Sequence, residues 1–387
     1  MTIERSEDGY PRFSGAEMAR RRVALEALMA ERGVSHLVLY GANRSGSAIQ
    51  WLTGWPVTRE AAVIVSPGER DLLLVQFHNH VPNARRLAPD ADVRWGGPST
   101  VESVADELGR RAPRSATNGF AGPLAAAQHD VLAASSGALT DLTRPVTALR
   151  TIKSSEEIEW IRVGAELSDR AVDALRRDVA PGMTELDLAA IVEDAYLSSG
   201  GVNHIHYFAV TPMEAPGRAV PAQFPSERKI EPGDVIVTEI SASYWDHPGQ
   251  VLRTFTVAAD PTPLYRDLHE VARSAFDAIA GVTGDGVHVE EAIEAATVIE
   301  DAGFTTYDDL VHGFVGGYLP PVLGSKSRTL EPPPDMVFRA GMTVVIQPNV
   351  ITPDERAGVQ TGELVHVTED GVERLHAAEP GMTRIGG

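Results

Sequence analysis

A glutamate near the end of an apolar strand is the first chemical signal in this chain. Glu239 sits in the run Val-Ile-Val-Thr-Glu-Ile, residues 235–240. A carboxylate there is expensive to bury unless it is paired or functional. It is a candidate nucleophile on an acyl-type or amidine-like carbon, or a general base toward water. The bland alternative is a structural glutamate paired with Arg253. His312, just before Gly313, adds a group that titrates near neutral pH and can act as acid or base. His204 and His206 flank Ile205 after the Gly200-Gly201 turn. In an extended segment the period of two puts both imidazoles on one face, where they would bind metal or shuttle protons, or simply close a polar strand end. Tyr244 leads the hairpin Tyr244-Trp245-Asp246-His247 and is placed to line a pocket, whereas His247 reads as a loop-tip residue. Glu363 and His366 lie three apart on a strand and so face opposite ways.

Composition narrows the chemistry. The 387 residues allow two domains. The net charge of −20, from 34 basic and 54 acidic residues, argues against nucleic acid and against an anionic membrane surface. There is no cysteine, which excludes disulfides, thiolate metal sites, iron–sulfur clusters and a cysteine nucleophile. The lysines are only Lys153, Lys229 and Lys326, a composition we read as codon bias. The segment MTIERSEDGYPRF lacks the apolar core of a secretory signal, and no run of about 18 apolar residues occurs. With cysteine missing, the expected location is cytoplasmic.

These residues need elements to hold them. Ala16–Arg32 reads as a helix closed by Gly33, followed by strands at His36–Tyr40, Ala62–Val65 and Asp71–Gln76, the last two joined by a Pro67-Gly68 turn. A boundary falls near Leu149. Ser154 and Glu157 stand in capping-box spacing ahead of a helix that runs to about Val179. Thr184 and Asp187 open a second helix, closed at Gly200-Gly201. Strands then dominate at Val235–Ile240, Val251–Val257, Met342–Gln347 and Glu363–Thr368, with helices at Leu264–Ile279 and Val289–Ala302 between them. The fold class is α+β.

The ordered set Leu149–Arg162, Gly182-Met183-Thr184-Glu185, Glu231-Pro232-Gly233-Asp234, Arg253-Thr254-Phe255, His312-Gly313, Gly341-Met342 and Val367-Thr368-Glu369-Asp370-Gly371 resembles the creatinase/prolidase family. That resemblance implies a pita-bread catalytic domain at 149–387. Leu52-Thr53-Gly54 is similar to a turn of the family's creatinase-type α/β N-terminal domain, placed at 1–148. The family's peptidases hold two metal ions on Asp, Asp, His, Glu and Glu. The resemblance puts Glu239, Gln250, His312, Gln347 and Gly362 at those positions, with Glu363 beside the last. Two further family histidines fall at Ala222 and Leu319. Two divalent ions need several carboxylates, and glutamine carbonyls are poor ligands for zinc, manganese or cobalt. The expectation is therefore no metal and no cofactor, with one weakly held ion on Glu239, His312 and Glu363 left open.

Two branches of the family resemble this depleted set. Creatinase is one, although Leu252 stands where it has a glutamate. Ectoine hydrolase is the other, similar at Glu239, at Gly317-Tyr318-Leu319-Pro320-Pro321 and at Glu363. The expected function is a metal-independent hydrolase of a C–N bond (amidine, guanidine or amide) in a small polar metabolite. Glu239 and His312 carry the chemistry, and His204, His206, Tyr244, Gln250, Gln347 and Glu363 bind substrate. Trp55 joins them because, in creatinase-like homodimers, one subunit's N-terminal domain reaches the other's pocket. An aromatic there would cover a cation, and the bland reading is a core tryptophan. The alternatives are a lyase or cyclising enzyme, a metal-dependent Xaa-Pro aminopeptidase, and a non-catalytic binding module.

Overall fold

The computed structural model describes residues 3–42, 45–111, 116–137, 139–328 and 333–387. It divides into two compact units, Met1–Arg150 and Thr151–Gly387.

In the first unit, helix α1 (Gly15–Glu31) starts where Ser14 accepts a hydrogen bond from the Glu17 backbone amide, satisfying a donor that the first turn leaves open. It buries Leu25, Leu28 and Met29. Gly33, with φ +64°, follows its end, a left-handed conformation that suits glycine. Strands β1 (His36–Ala42), β2 (Glu60–Val65), β3 (Leu72–Val75), β4 (Asp92–Trp95), β5 (Asn118–Ala121) and β6 (Leu139–Asp141) form a sheet in the order β4-β3-β2-β1-β5-β6. β2 and β3 pair antiparallel across the Pro67-Gly68 turn, where Gly68 has φ +76°. Alternating residues feed apolar clusters on the sheet's two faces, Leu37, Leu39, Val63 and Leu73 in one, Val38, Ile64 and Leu74 in the other.

In the second unit, helix α2 (Ser155–Asp178) opens with a reciprocal capping box. Ser154 Oγ accepts from the Glu157 amide at 3.2 Å, and Glu157 accepts from the Ser154 amide at 2.9 Å. Helix α3 (Glu185–Leu197) repeats the device with Thr184 and Asp187. Strands β7 (Val202–Pro212), β8 (Asp234–Tyr244), β9 (His247–Val257), β10 (Val311–Phe314), β11 (Tyr318–Leu323), β12 (Thr343–Ile346) and β13 (Gly362–Thr368) build the main sheet in the order β11-β10-β12-β13-β9-β8-β7. β8 and β9 form a hairpin whose turn residues Trp245 and Asp246 have φ +48° and +71°, the geometry that matches strand twist in a two-residue loop. Every residue of both strands is buried.

Helix α2 reaches that hairpin through glycines. A Cβ built on Gly164 would meet the His247 carbonyl oxygen at 2.2 Å, and one on Gly249 would meet the Ala165 backbone nitrogen at 2.2 Å. Only backbone fits there. Gly164→Ala is expected to lose about 3 kcal/mol of stability, the upper end for overpacking because backbone cannot swing aside. A urea midpoint unchanged from wild type would contradict this packing. Among the described residues, no helix is long and apolar enough to cross a membrane.

Candidate active site

Strand register brings four of the expected residues together. Glu239 opposes Leu252 and Ser241 opposes Gln250, so Glu239 and Gln250 are diagonal neighbours on one face. Gln250 Nε2 donates to Glu239 Oε1 at 2.8 Å and lies 3.1 Å from Gln347 Oε1. His312 opposes Val345, which makes Gln347, two residues on, its diagonal neighbour. His312 Nε2 lies 3.3 Å from Gln347 Oε1. The result is a buried chain of side chains, Glu239–Gln250–Gln347–His312. Glu239 has no tie to Arg253, which goes elsewhere.

Burial dominates the protonation of both ends. It pushes the Glu239 carboxyl up to about 8, helped by the charges of Asp308 and Asp309 and opposed by a hydrogen bond from Gln360. At neutral pH this carboxyl holds its proton. Burial pulls the His312 imidazole down to about 4, against hydrogen bonds to the Gly313 carbonyl and to Gln347, so its ring is neutral. The neutral ring donates from Nδ1 to the Gly313 oxygen, 3.2 Å away, and its Nε2 keeps a lone pair. A lone pair cannot face the Gln347 oxygen. Turning the Gln347 amide makes its nitrogen the donor to His312, and turning Gln250 lets its oxygen accept from protonated Glu239 and from Gln347. Amide orientation is assigned from such networks, and this one gives each contact along the chain one donor and one acceptor.

Aromatic rings wall the imidazole. Tyr318 stacks on His312 with centroids 4.0 Å apart at 16°, and Phe314 meets it edge-on at 5.2 Å. His204 packs edge-on against Phe314 at 5.4 Å, at the margin of this cluster.

Four expected substrate contacts lie elsewhere. His206 points to helix α3, where its Nε2 is 2.5 Å from the Tyr196 hydroxyl. His204 and His206 do not share a face, because the β7–β8 register skips His204 between Ile205 and Asn203, and such a bulge breaks the alternation. Tyr244 is five residues beyond Glu239, about 16 Å along the strand, and packs edge-on against Trp160 at 5.5 Å. His247 is buried against the same Trp160 and is no loop tip. Trp55 is buried in the first unit's own apolar core, 6.1 Å from the His80 ring.

Glu363 opposes Val251 and Ile346, the neighbours of Gln250 and Gln347, so alternation turns it to the opposite face. There it accepts from Arg253 Nη2 at 2.7 Å and Arg374 Nη2 at 3.0 Å. Burial alone would raise its carboxyl, but the Arg374 hydrogen bond and the Arg253 charge bring it below the ordinary value. Gly362 is the residue that faces the centre. A Cβ there would meet the Ile346 oxygen at 2.3 Å and Gln347 Cα at 2.8 Å, so no side chain fits.

Three residues of this centre escaped the sequence reading. Asp308 and Asp309 are half-buried acids whose charges act on Glu239, and Gln360 hydrogen-bonds it. The available signal was the acid pair Asp308-Asp309 leading directly into the apolar run before His312.

The hairpin-centred sheet that carries this centre defines a pita-bread architecture. Residues 159–369 match the metallopeptidase family M24, and the chain belongs to that family. It is 30% identical over 238 residues to an Xaa-Pro dipeptidase of Pyrococcus furiosus, covering 60% of this chain and 64% of that protein. It is 29% identical over 237 residues to a probable dipeptidase of Mycobacterium bovis, covering 60% and 59%. The matched stretch thus spans less than two thirds of these relatives' length. Among solved structures, an Xaa-Pro dipeptidase from Bacillus anthracis superposes with a TM-score of 0.81 at 19% identity, covering 95% of this chain and all of that one. A prolidase from Pyrococcus furiosus gives 0.77 at 22% identity, covering 91% and 99%. These show the fold.

The relatives overturn the expectation of a metal-independent, creatinase-like hydrolase of an amidine or guanidine. They carry dipeptidase names within a family named for metallopeptidases, and they favour the Xaa-Pro peptidase alternative. The side chains of this centre do not fit a two-ion site. They supply one carboxyl, one imidazole and two amides, the fifth position takes no side chain, and Glu363 is held by two arginines. Among the described residues, no group of three or more His, Asp or Glu could hold a metal ion.

Proposed function

We propose that this chain is a peptidase of dipeptide-type substrates, of the Xaa-Pro kind that its relatives' names describe. Its centre is the chain Glu239–Gln250–Gln347–His312. The observation that carries the reading is the family match over 159–369, which contains all four of these residues.

Each residue has a part in amide cleavage. Neutral His312 offers the Nε2 lone pair as a base for the attacking water once that water displaces the Gln347 amide from it. Protonated Glu239 is a proton source for the departing amine nitrogen. Gln250 and Gln347 orient both ends without adding charge, so the acid and the base keep their opposite protonation states at one pH. The Tyr318 ring on His312 excludes solvent from one face of the imidazole.

The two shifted groups set the pH profile. The base works above its pKa of about 4 and the acid below its pKa of about 8. We expect kcat/KM to be bell-shaped, rising through about pH 4 and falling through about pH 8. A profile flat from pH 6 to 10 would remove Glu239 as the acid. The assay is proline release from Xaa-Pro dipeptides, run with and without added divalent metal.

A further inference from the structure

Amide cleavage places a negative charge on the carbonyl oxygen, and a donor has to meet it there. The acid and the base of this centre are engaged elsewhere, Glu239 on the departing nitrogen and His312 on water. The surrounding side chains do not fit a metal pair, because Gly362 takes no side chain and Glu363 turns away to Arg253 and Arg374. A side chain of the protein is left to supply the donor.

The fold places Tyr318 for this task. It opposes Phe314 across β10 and β11, so His312, two residues before Phe314, is its diagonal neighbour on the same face. Its ring lies on the imidazole with centroids 4.0 Å apart and 16° between the planes. The hydroxyl stands beside the Gln347 amide and in the field of Asp308, Asp309 and Glu239, so the phenol shares the pocket of the acid and the base. Turning the Gln347 amide, as the His312 lone pair requires, also puts an oxygen at the buried position where its nitrogen had no partner. An acceptor there suits the neighbouring phenol, which donates.

Exposure separates Tyr318 from the amides. Gln250 and Gln347 are fully buried, whereas Tyr318 is 48% exposed, so a substrate carbonyl meets the phenol first. Partial burial, then the charges of Asp308 and Asp309, hold its proton above the ordinary phenol range. The group stays a donor across the pH range in which the centre works.

We propose that Tyr318 is a catalytic residue whose hydroxyl donates a hydrogen bond to the carbonyl oxygen of the scissile amide as charge develops there. This rests on the reading of the centre as a peptidase site. Water adds to the carbonyl carbon and gives its proton to His312, while the carbonyl π pair moves onto the oxygen that faces Tyr318. That pair re-forms the carbonyl as the C–N bond breaks, the nitrogen keeps the bonding pair, and Glu239 protonates it. Solvent returns the His312 proton to Glu239. Tyr318 keeps its own proton throughout, as an oxyanion donor does.

Tyr318→Phe in the full chain tests it, because the substitution removes the hydroxyl and keeps the ring. The kcat for proline release from Ala-Pro is expected to fall about 10²- to 10³-fold, the cost of one oxyanion donor, with KM unchanged. The ring still covers the imidazole, so the rising limb of the pH profile stays near pH 4. A second readout needs no turnover. A phosphinic analogue of Ala-Pro carries a tetrahedral, charged group in place of the amide, and its affinity by calorimetry is expected to drop about 10²- to 10³-fold in the variant. Circular dichroism checks that the variant folds. Wild-type kcat in Tyr318→Phe, or a phosphinate affinity equal in the two proteins, would overturn the proposal. A phosphinate affinity that depends on Tyr318 in a chain that releases no proline would instead sink the peptidase reading and leave the donor standing.

Discussion

Glu239→Gln is expected to lower kcat for the proposed dipeptide hydrolysis by about 10²- to 10⁴-fold, the usual contribution of a positioned acid. The substitution keeps the shape of the side chain and its place beside Gln250, so the chain still folds. It removes only the proton that burial keeps on Glu239 up to about pH 8. Stability moves the other way. The folded carboxyl has a higher pKa than the unfolded one, so wild-type stability falls as pH rises from about 4.5 to about 8. Glutamine has no such cost, and the variant gains on wild type when urea midpoints are compared at pH 5 and pH 9. A variant with full kcat, or one whose stability tracks wild type at both pH values, would remove Glu239 from its proposed role.

Glu363→Ala is the largest expected loss of stability. It strips the partner from Arg253, which is 1% exposed and donates to Glu363 and to the Gly362 and Ala378 carbonyls. Removing one member of a buried pair leaves a buried charge uncompensated and costs about 3–5 kcal/mol. Because the folded carboxyl titrates below its ordinary value, the contribution is present above about pH 4.5 and is lost as pH falls through the folded pKa. The measurement is urea unfolding at pH 7 and at low pH, and the gap between wild type and variant closes in acid. Glu363 faces away from the centre, so KM for dipeptides is unchanged in whatever fraction remains folded. A raised KM with full stability would put Glu363 back among the substrate contacts.

Much of this architecture was legible in the sequence because it rests on local rules. The Ser154–Glu157 and Thr184–Asp187 capping boxes, Gly33 and the Pro67-Gly68 turn each satisfy backbone groups within a few residues, and each stands where spacing placed it. The meeting of Glu239, Gln250, His312 and Gln347 was legible from the family resemblance. What escaped was non-local. Arg253 could have served Glu239 or Glu363, and only the register of β9 on β13 decides between them. The bulge at His204 cancels an alternation that its neighbours obey. The charges of Asp308 and Asp309 matter only because folding brings them to Glu239. The functional expectation erred for another reason. It took the missing ligands as a change of reaction, whereas the relatives matched over 60% of this chain carry dipeptidase names.

The most direct test is proline release from a panel of Xaa-Pro dipeptides by the full chain, with and without manganese or zinc supplied, beside His312→Ala and Glu239→Gln. Cleavage by the wild type that both substitutions reduce by about a hundredfold or more is the predicted result. No release from any dipeptide in either condition, or release that both variants retain, would contradict it.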